Sequence, residues 1–145
     1  MDVSSQHAPR WIEAILGWPA TACAARTALA SAYLIGGIMK VTDFQAAVAE
    51  QAHFGLQPAP LWAALTIVVE LVGPALLITG RYMWLAAGAL SVLTAIAMLV
   101  ANDFWAQQGL ARFMALIAFF EHVGLIGGFA LAAILDHRQK EHPND

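Results

Sequence analysis

Residues 61–79 read LWAALTIVVELVGPALLIT, a stretch with a single ionisable side chain, Glu70, near its middle. About 20 apolar residues cross a hydrocarbon core of about 30 Å. In lipid every backbone polar group must be satisfied within the protein, and nothing here alternates like a barrel strand, so the segment is a transmembrane helix. Three more stretches of the same kind lie around it, at about residues 21–39, 82–101 and 110–135. Little more than Gly80-Arg81 separates the second span from the third, which predicts a tight antiparallel hairpin, and residues 102–109 join the third to the fourth. The expected fold is therefore all-α, a four-helix transmembrane bundle over residues 21–135. A tail with a short helix (residues 1–20) precedes it, and a polar tail (136–145) follows.

Composition agrees. Of 145 residues 60% are hydrophobic and 12% charged, whereas a soluble domain carries about a quarter charged residues. The net charge of −3 comes without a basic cluster, which argues against nucleic acid as a partner. One cysteine, Cys23, excludes an internal disulfide or a CxxC redox pair. Residues 1–8 are polar and the first long apolar run begins near Thr21, so no cleavable signal is expected.

The connection over residues 41–60 has a helical rhythm, with Phe44, Val48, His53 and Phe54 set against Gln45, Glu50 and Gln51. It predicts a short amphipathic helix at the membrane interface, between the first two spans and ended by Gly55 and the Pro58-Ala59-Pro60 stop. A second interfacial helix is expected ahead of the bundle, from Pro9 through Trp11, Ile12, Ile15 and Leu16, with Pro19 ending it. With both termini inside, Arg10, Arg26, Arg81, Arg138 and Lys140 lie on the cytoplasmic side and only Lys40 and Arg112 opposite, as the positive-inside rule asks. Trp18, Trp62, Trp84 and Trp105 fall near span ends, where an aromatic belt belongs.

Small residues mark close helix contacts in lipid. Ala24, Ala28, Ala32 and Gly36 form one such seam, and Gly124, Gly128 and Ala132 another. Charges inside the spans are costly, about 2.5–3.5 kcal/mol at the bilayer centre on the most lenient scale, and normally face the bundle interior. Glu70 in the second span and Glu121-His122 in the fourth are such groups, at similar depth. Thr66, Gly73 and Pro74 share the Glu70 face, and Pro74 leaves the Glu70 carbonyl without its helical donor. A second polar line runs down the first span through Arg26, Ala30, Tyr33, Gly37 and Lys40. Tyr33 could reach a carboxylate, while Lys40 and Arg112 lie about 13 Å above Glu70 and Glu121, too far for pairing unless the helices are offset.

Two readings follow. Glu70 could glue helices together through Tyr33 or Thr66. Alternatively Glu70, Glu121 and His122 line a polar cavity as catalytic groups, with Arg26, Tyr33, Lys40 and Thr66 holding a substrate; two carboxylates and an imidazole can relay protons. No metal site is expected. Glu50-x-x-His53 occurs once, where di-iron bundles use two such motifs, and the adjacent Glu121 and His122 diverge. A bis-histidine haem lacks its second mid-span ligand.

The stretch YLIGGIMKVTDF at residues 33–44, followed in order by GLQPAP at 55–60, Glu70 and Gly80-Arg81, resembles the DoxX family of small bacterial membrane proteins. Arg26 resembles the basic residue that opens the family's first helix. The likeness runs from Arg26 to about Leu135. It departs at Gly73-Pro74, where the family often has two glycines, and at residues 132–138. Glu121-His122 is not part of it. The resemblance implies a four-helix membrane protein associated with redox systems; together with the spans and the Lys and Arg placement, the expectation is a multi-pass protein of the bacterial inner membrane with cytoplasmic termini. It would be a membrane subunit of a thiosulfate:quinone oxidoreductase, or a partner of superoxide dismutase and sulfurtransferase. Quinone is then the candidate cofactor, and a redox partner protein or a second copy the candidate partner besides the bilayer. The alternatives are a lipophile-binding or carrier module without redox chemistry, and a membrane-embedded isomerase that shuttles protons.

Overall fold

The computed structural model describes residues 8–141. Six helices follow one another: α1 Arg10–Leu16, α2 Pro19–Thr42, α3 Phe44–His53, α4 Ala59–Thr79, α5 Met83–Ala101 and α6 Gly109–Glu141. No strand occurs among the described residues. Of the six, α2, α4, α5 and α6 are long and apolar enough to cross a membrane. Side chains such as Ile35, Ile38, Val68, Val72, Phe113 and Phe120 stay exposed on these helices, a surface that suits lipid.

Prolines open helices here rather than closing them. α1 stops at Leu16, and Pro19 sits in the first turn of α2, where a missing N–H is not needed. The expected Pro58-Ala59-Pro60 stop likewise becomes a start, with Pro58 as N-cap and Pro60 in the first turn of α4. Asp43 turns the chain sharply: it ends α2 and caps α3, its carboxylate accepting from the Ala46 N–H at 2.9 Å. α6 continues past the expected end at Leu135. Its 33 residues span about 50 Å, more than a bilayer core. The part read as a polar tail is helical to Glu141, laced by Lys140–Asp136 and His137–Glu141 contacts at 2.7 and 3.3 Å.

The predicted hairpin is present. Gly80 takes φ +70°, and the Gly80 and Arg81 N–H groups return to the Leu77 and Leu76 carbonyls. Arg26 reaches this corner, its Nη1 lying 2.7 Å from where a Gly80 Cβ would stand. Gly80→Ala should therefore lower stability by about 1 kcal/mol, chiefly from the left-handed backbone, because the flexible Arg26 tip can move. Unfolding midpoints in mixed micelles check this.

α2 pairs closely with α4, α4 with α5, and α5 with α6. Ala30, Leu77, Met83, Ala86, Leu90 and Phe129 fill the core at the hairpin end. There α2 also meets α6, with Leu29 on Gly128 and Tyr33 edge-on to Phe129 at 5.5 Å. α3 folds back on the first half of α4 and buries Ala47 and Gln51, one turn apart, while Phe44 and His53 stay exposed. The apolar face expected of this helix is thus not the face it buries. A small residue allows the close contact with α4, and the polar one is turned toward the site described next.

Candidate functional site

A cavity of about 880 Å³ runs along the bundle, from Trp84 at the start of α5 to Lys40, Glu50 and Gln51 beneath α3. Most of its wall is apolar, with Leu65, Val69, Leu85, Val92, Leu93 and Leu125 among the lining side chains. The polar groups gather at mid-depth and toward α3. Such a shape suits a long apolar molecule with a compact polar head.

The centre of the polar part is an ion pair. Lys40 Nζ donates to Glu70 Oε1 at 3.2 Å and lies 3.7 Å from Glu50 Oε2. The Lys40 and Glu70 side chains retain 17% and 11% of their exposure, against 47% for Glu50. This corrects the expectation that Lys40 lies too far above Glu70. The glycines explain it: Gly36 and Gly37 let α2 approach α4 at the level of Glu70, within 3.3 and 3.1 Å of its side chain measured from an ideal Cβ. Side chains also lean toward the N-terminus of their own helix. On antiparallel α2 and α4 that tilt brings Lys40 and Glu70 toward each other.

The second carboxylate oxygen, Glu70 Oε2, is buried and has no hydrogen-bond partner among the described residues. Tyr33 does not supply one. The Thr94 hydroxyl gives its proton to the Leu90 carbonyl at 2.6 Å, so Tyr33 must donate to Thr94 Oγ1, at 2.5 Å. Tyr33 therefore ties α2 to α5 across the cavity wall. Thr66 is buried on the same wall, one turn before Glu70, without bonding to it. Neither contact of the glue reading is made.

On α6 the neighbours Glu121 and His122 part company. His122 lines the cavity, and its Nδ1 lies 2.6 Å from the Ala118 carbonyl. A carbonyl only accepts, so Nδ1 carries the proton and Nε2 of the neutral ring is an acceptor. Glu121 is exposed and does not line the cavity; it lies one turn from Gly124, around which an added Cβ would meet nothing within 4 Å. Arg26 sits at the Gly80 corner, away from the cavity. The structure thus gathers Tyr33, Lys40, Thr66, Glu70 and His122 of the expected set and leaves Glu121 and Arg26 outside. Glu121→Gln should accordingly leave stability within about 0.5 kcal/mol of wild type, measured by unfolding in mixed micelles.

Glu50, Gln51, Trp62 and Thr94 also line the cavity without being singled out in the sequence as site residues. Glu50 carried a readable signal. Asp43 is a helix-capping residue type, and a sharp turn there brings the following helix back over Lys40. Thr94 had none, since a threonine in a span more often bonds its own helix.

The family model for DoxX matches residues 21–103, more than half of the chain. The chain belongs to the DoxX family. No curated protein and no solved structure matches it. The DoxX match takes in α2 to α5 and hence Tyr33, Lys40, Glu50, Thr66, Glu70 and Thr94. It stops short of α6, so His122 joins the candidate site on geometry alone.

Proposed function

We propose that this DoxX protein binds a lipophile with a compact polar head, of the quinone class, as the membrane subunit of a quinone- or thiol-linked redox system. The observation that carries the reading is the buried Lys40–Glu70 pair, with one carboxylate oxygen unpartnered, in the wall of a long apolar cavity. Charged groups at membrane depth mark substrate or proton pathways by default. The head would lie against Lys40, Glu70 and His122 and the tail would run toward Trp84. Glu70 and His122 are the groups placed to exchange protons with a bound head, with Glu50 the more exposed carboxylate on the way to water. Electrons would pass to a partner, because one cysteine offers no dithiol.

In this reading the protein resides in the bacterial inner membrane with both termini cytoplasmic, the side that holds most Lys and Arg. α3 then lies at the opposite interface, as a roof over the head group.

Organic extraction of the protein purified in mild detergent, followed by mass spectrometry, tests the proposal. Near-stoichiometric quinone in wild type and its loss in Lys40→Ala are the expected result. Bulk phospholipid alone would overturn it. A redox-inert lipophile at the same stoichiometry would replace the redox reading with the binding or isomerase one, since Glu70 and His122 face one cavity in either case.

A further inference from the structure

We propose that the cavity opens sideways into the hydrocarbon between α4 and α5, and that it takes a long-chain lipophile directly from the bilayer, polar head inside and chain end in the opening. The inference rests on the lipophile-binding reading above and adds the route of entry and the place of the chain. Leu65 on α4 and Leu85 and Val92 on α5 line the cavity yet keep 49%, 46% and 61% of their exposure. Gly88 does the same: it lines the cavity, is exposed, and a Cβ added there would meet nothing within 4 Å. Leu85, Gly88 and Val92 follow at three- and four-residue spacing, so they form one strip down α5. All four residues lie inside the two most apolar of the four spans, so the opening gives onto lipid chains and not onto water.

The two ends of the bundle offer a chain no easy passage. At the hairpin end Gly73 lets α4 sit on Leu90 of α5, where an added Cβ would stand 3.0 Å from the Leu90 side chain, and Leu77, Met83 and Ala86 fill the core around them. At the other end Lys40 is held by Glu70 at 3.2 Å and by Glu50 of α3 at 3.7 Å. Drawing an apolar chain through that end would part a buried ion pair and leave its charges uncompensated. The side opening asks for nothing of the kind, because a chain moves there between leucine and valine side chains that are as apolar as the lipid it leaves. A head can therefore rest at Lys40 and Glu70 while the rest of the chain, whatever its length, stays in the membrane.

The test uses the full chain in phospholipid nanodiscs with a hexadecyl benzoquinone that carries a photoreactive diazirine either beside the ring or at the chain end. Peptide mapping after irradiation locates the adducts. The chain-end diazirine should label Leu65, Leu85 and Val92, and an about tenfold excess of unlabelled probe should lower that labelling about tenfold, as competition for one site requires. Labelling of Ile38 and Val72, exposed side chains that do not line the cavity, should not respond to the excess. The ring-side diazirine should label the wall beside Glu70, at Thr66 and Val69. Gly88→Trp should cut the competed labelling about tenfold, the worth of about two methylenes displaced from the opening. Gly124→Trp, equally open but outside the cavity, should leave it unchanged. Competed chain-end labelling at Phe54 or Ala101 instead, or no effect of Gly88→Trp, overturns the side opening and leaves the binding reading intact. The wild-type adduct map decides alone should Gly88→Trp fail to fold. Labelling that the excess suppresses at no position overturns both.

Discussion

Lys40→Met should destabilise this protein by about 3–5 kcal/mol, and adding Glu70→Leu to the same chain should recover most of that loss. The asymmetry follows from burial. Lys40 and Glu70 face each other at 3.2 Å with little exposure on either side. Removing the cation leaves a carboxylate in an apolar wall, with one oxygen already unpartnered and the other newly so. Removing both charges leaves two apolar side chains in an apolar cavity, which is close to neutral. Glu50→Gln should by contrast shift stability by less than about 1 kcal/mol, because its contact with Lys40 is longer and Glu50 is half-exposed.

Unfolding in mixed detergent micelles reads all four proteins on one scale. A Lys40→Met midpoint within about 1 kcal/mol of wild type would mean that the pair does not hold α2 to α4. Stability and binding separate in the double variant. It should fold nearly as well as wild type, yet, under the proposed function, extract without lipophile, because Lys40 and Glu70 would no longer meet a head group. A double variant that keeps its lipophile would place the head elsewhere in the cavity.

The bundle was legible because lipid leaves so few choices. A stretch such as residues 61–79 can only be a helix, and Gly80 beside a short polar link can only be a hairpin. The inward face of α2 was legible too. The line Arg26, Ala30, Tyr33, Gly37 and Lys40 is the face turned to the bundle, with Ala30 and Gly37 buried. What could not be read was axial register and the rotation of α6. Residues 41–60 gave no measure of how far α4 begins beyond the end of α2, so Lys40 looked stranded above Glu70. On α6 the Gly124–Gly128 spacing pointed to the Glu121 side. The helix instead turns His122, Leu125 and Phe129 inward, where large side chains fill the broad space beside a cavity. Of that seam Gly128 does meet protein, at Leu29 of α2, and Ala132 packs on the core, while Gly124 stands in open space.

The two adjacent glycines of α2 give the other large effect, and they should fail in different ways. A Cβ on Gly37 would lie 2.8 Å from Leu71 Cδ2, 3.0 Å from its Cγ and 3.1 Å from the Glu70 Cβ. The Leu71 tip can swing aside, but the Glu70 Cβ moves only with its backbone. Gly37→Ala should therefore push α2 from α4 and cost about 1–3 kcal/mol, as overpacking does in a tight core. A bulkier Gly37→Leu should prevent the two helices from pairing at all. The nearest atoms to a Gly36→Ala methyl are those of the Glu70 carboxylate, at 3.3–3.5 Å, which can yield by a few tenths of an ångström. This variant should fold near wild-type stability while its methyl crowds the head group. Gly124→Ala is the control: nothing lies within 4 Å of its added methyl, so it should gain about 0.5–1 kcal/mol from helix propensity. If Gly37→Ala were as harmless as Gly124→Ala, the close approach that carries Lys40 to Glu70 would not exist, and the site built on it would fall with it.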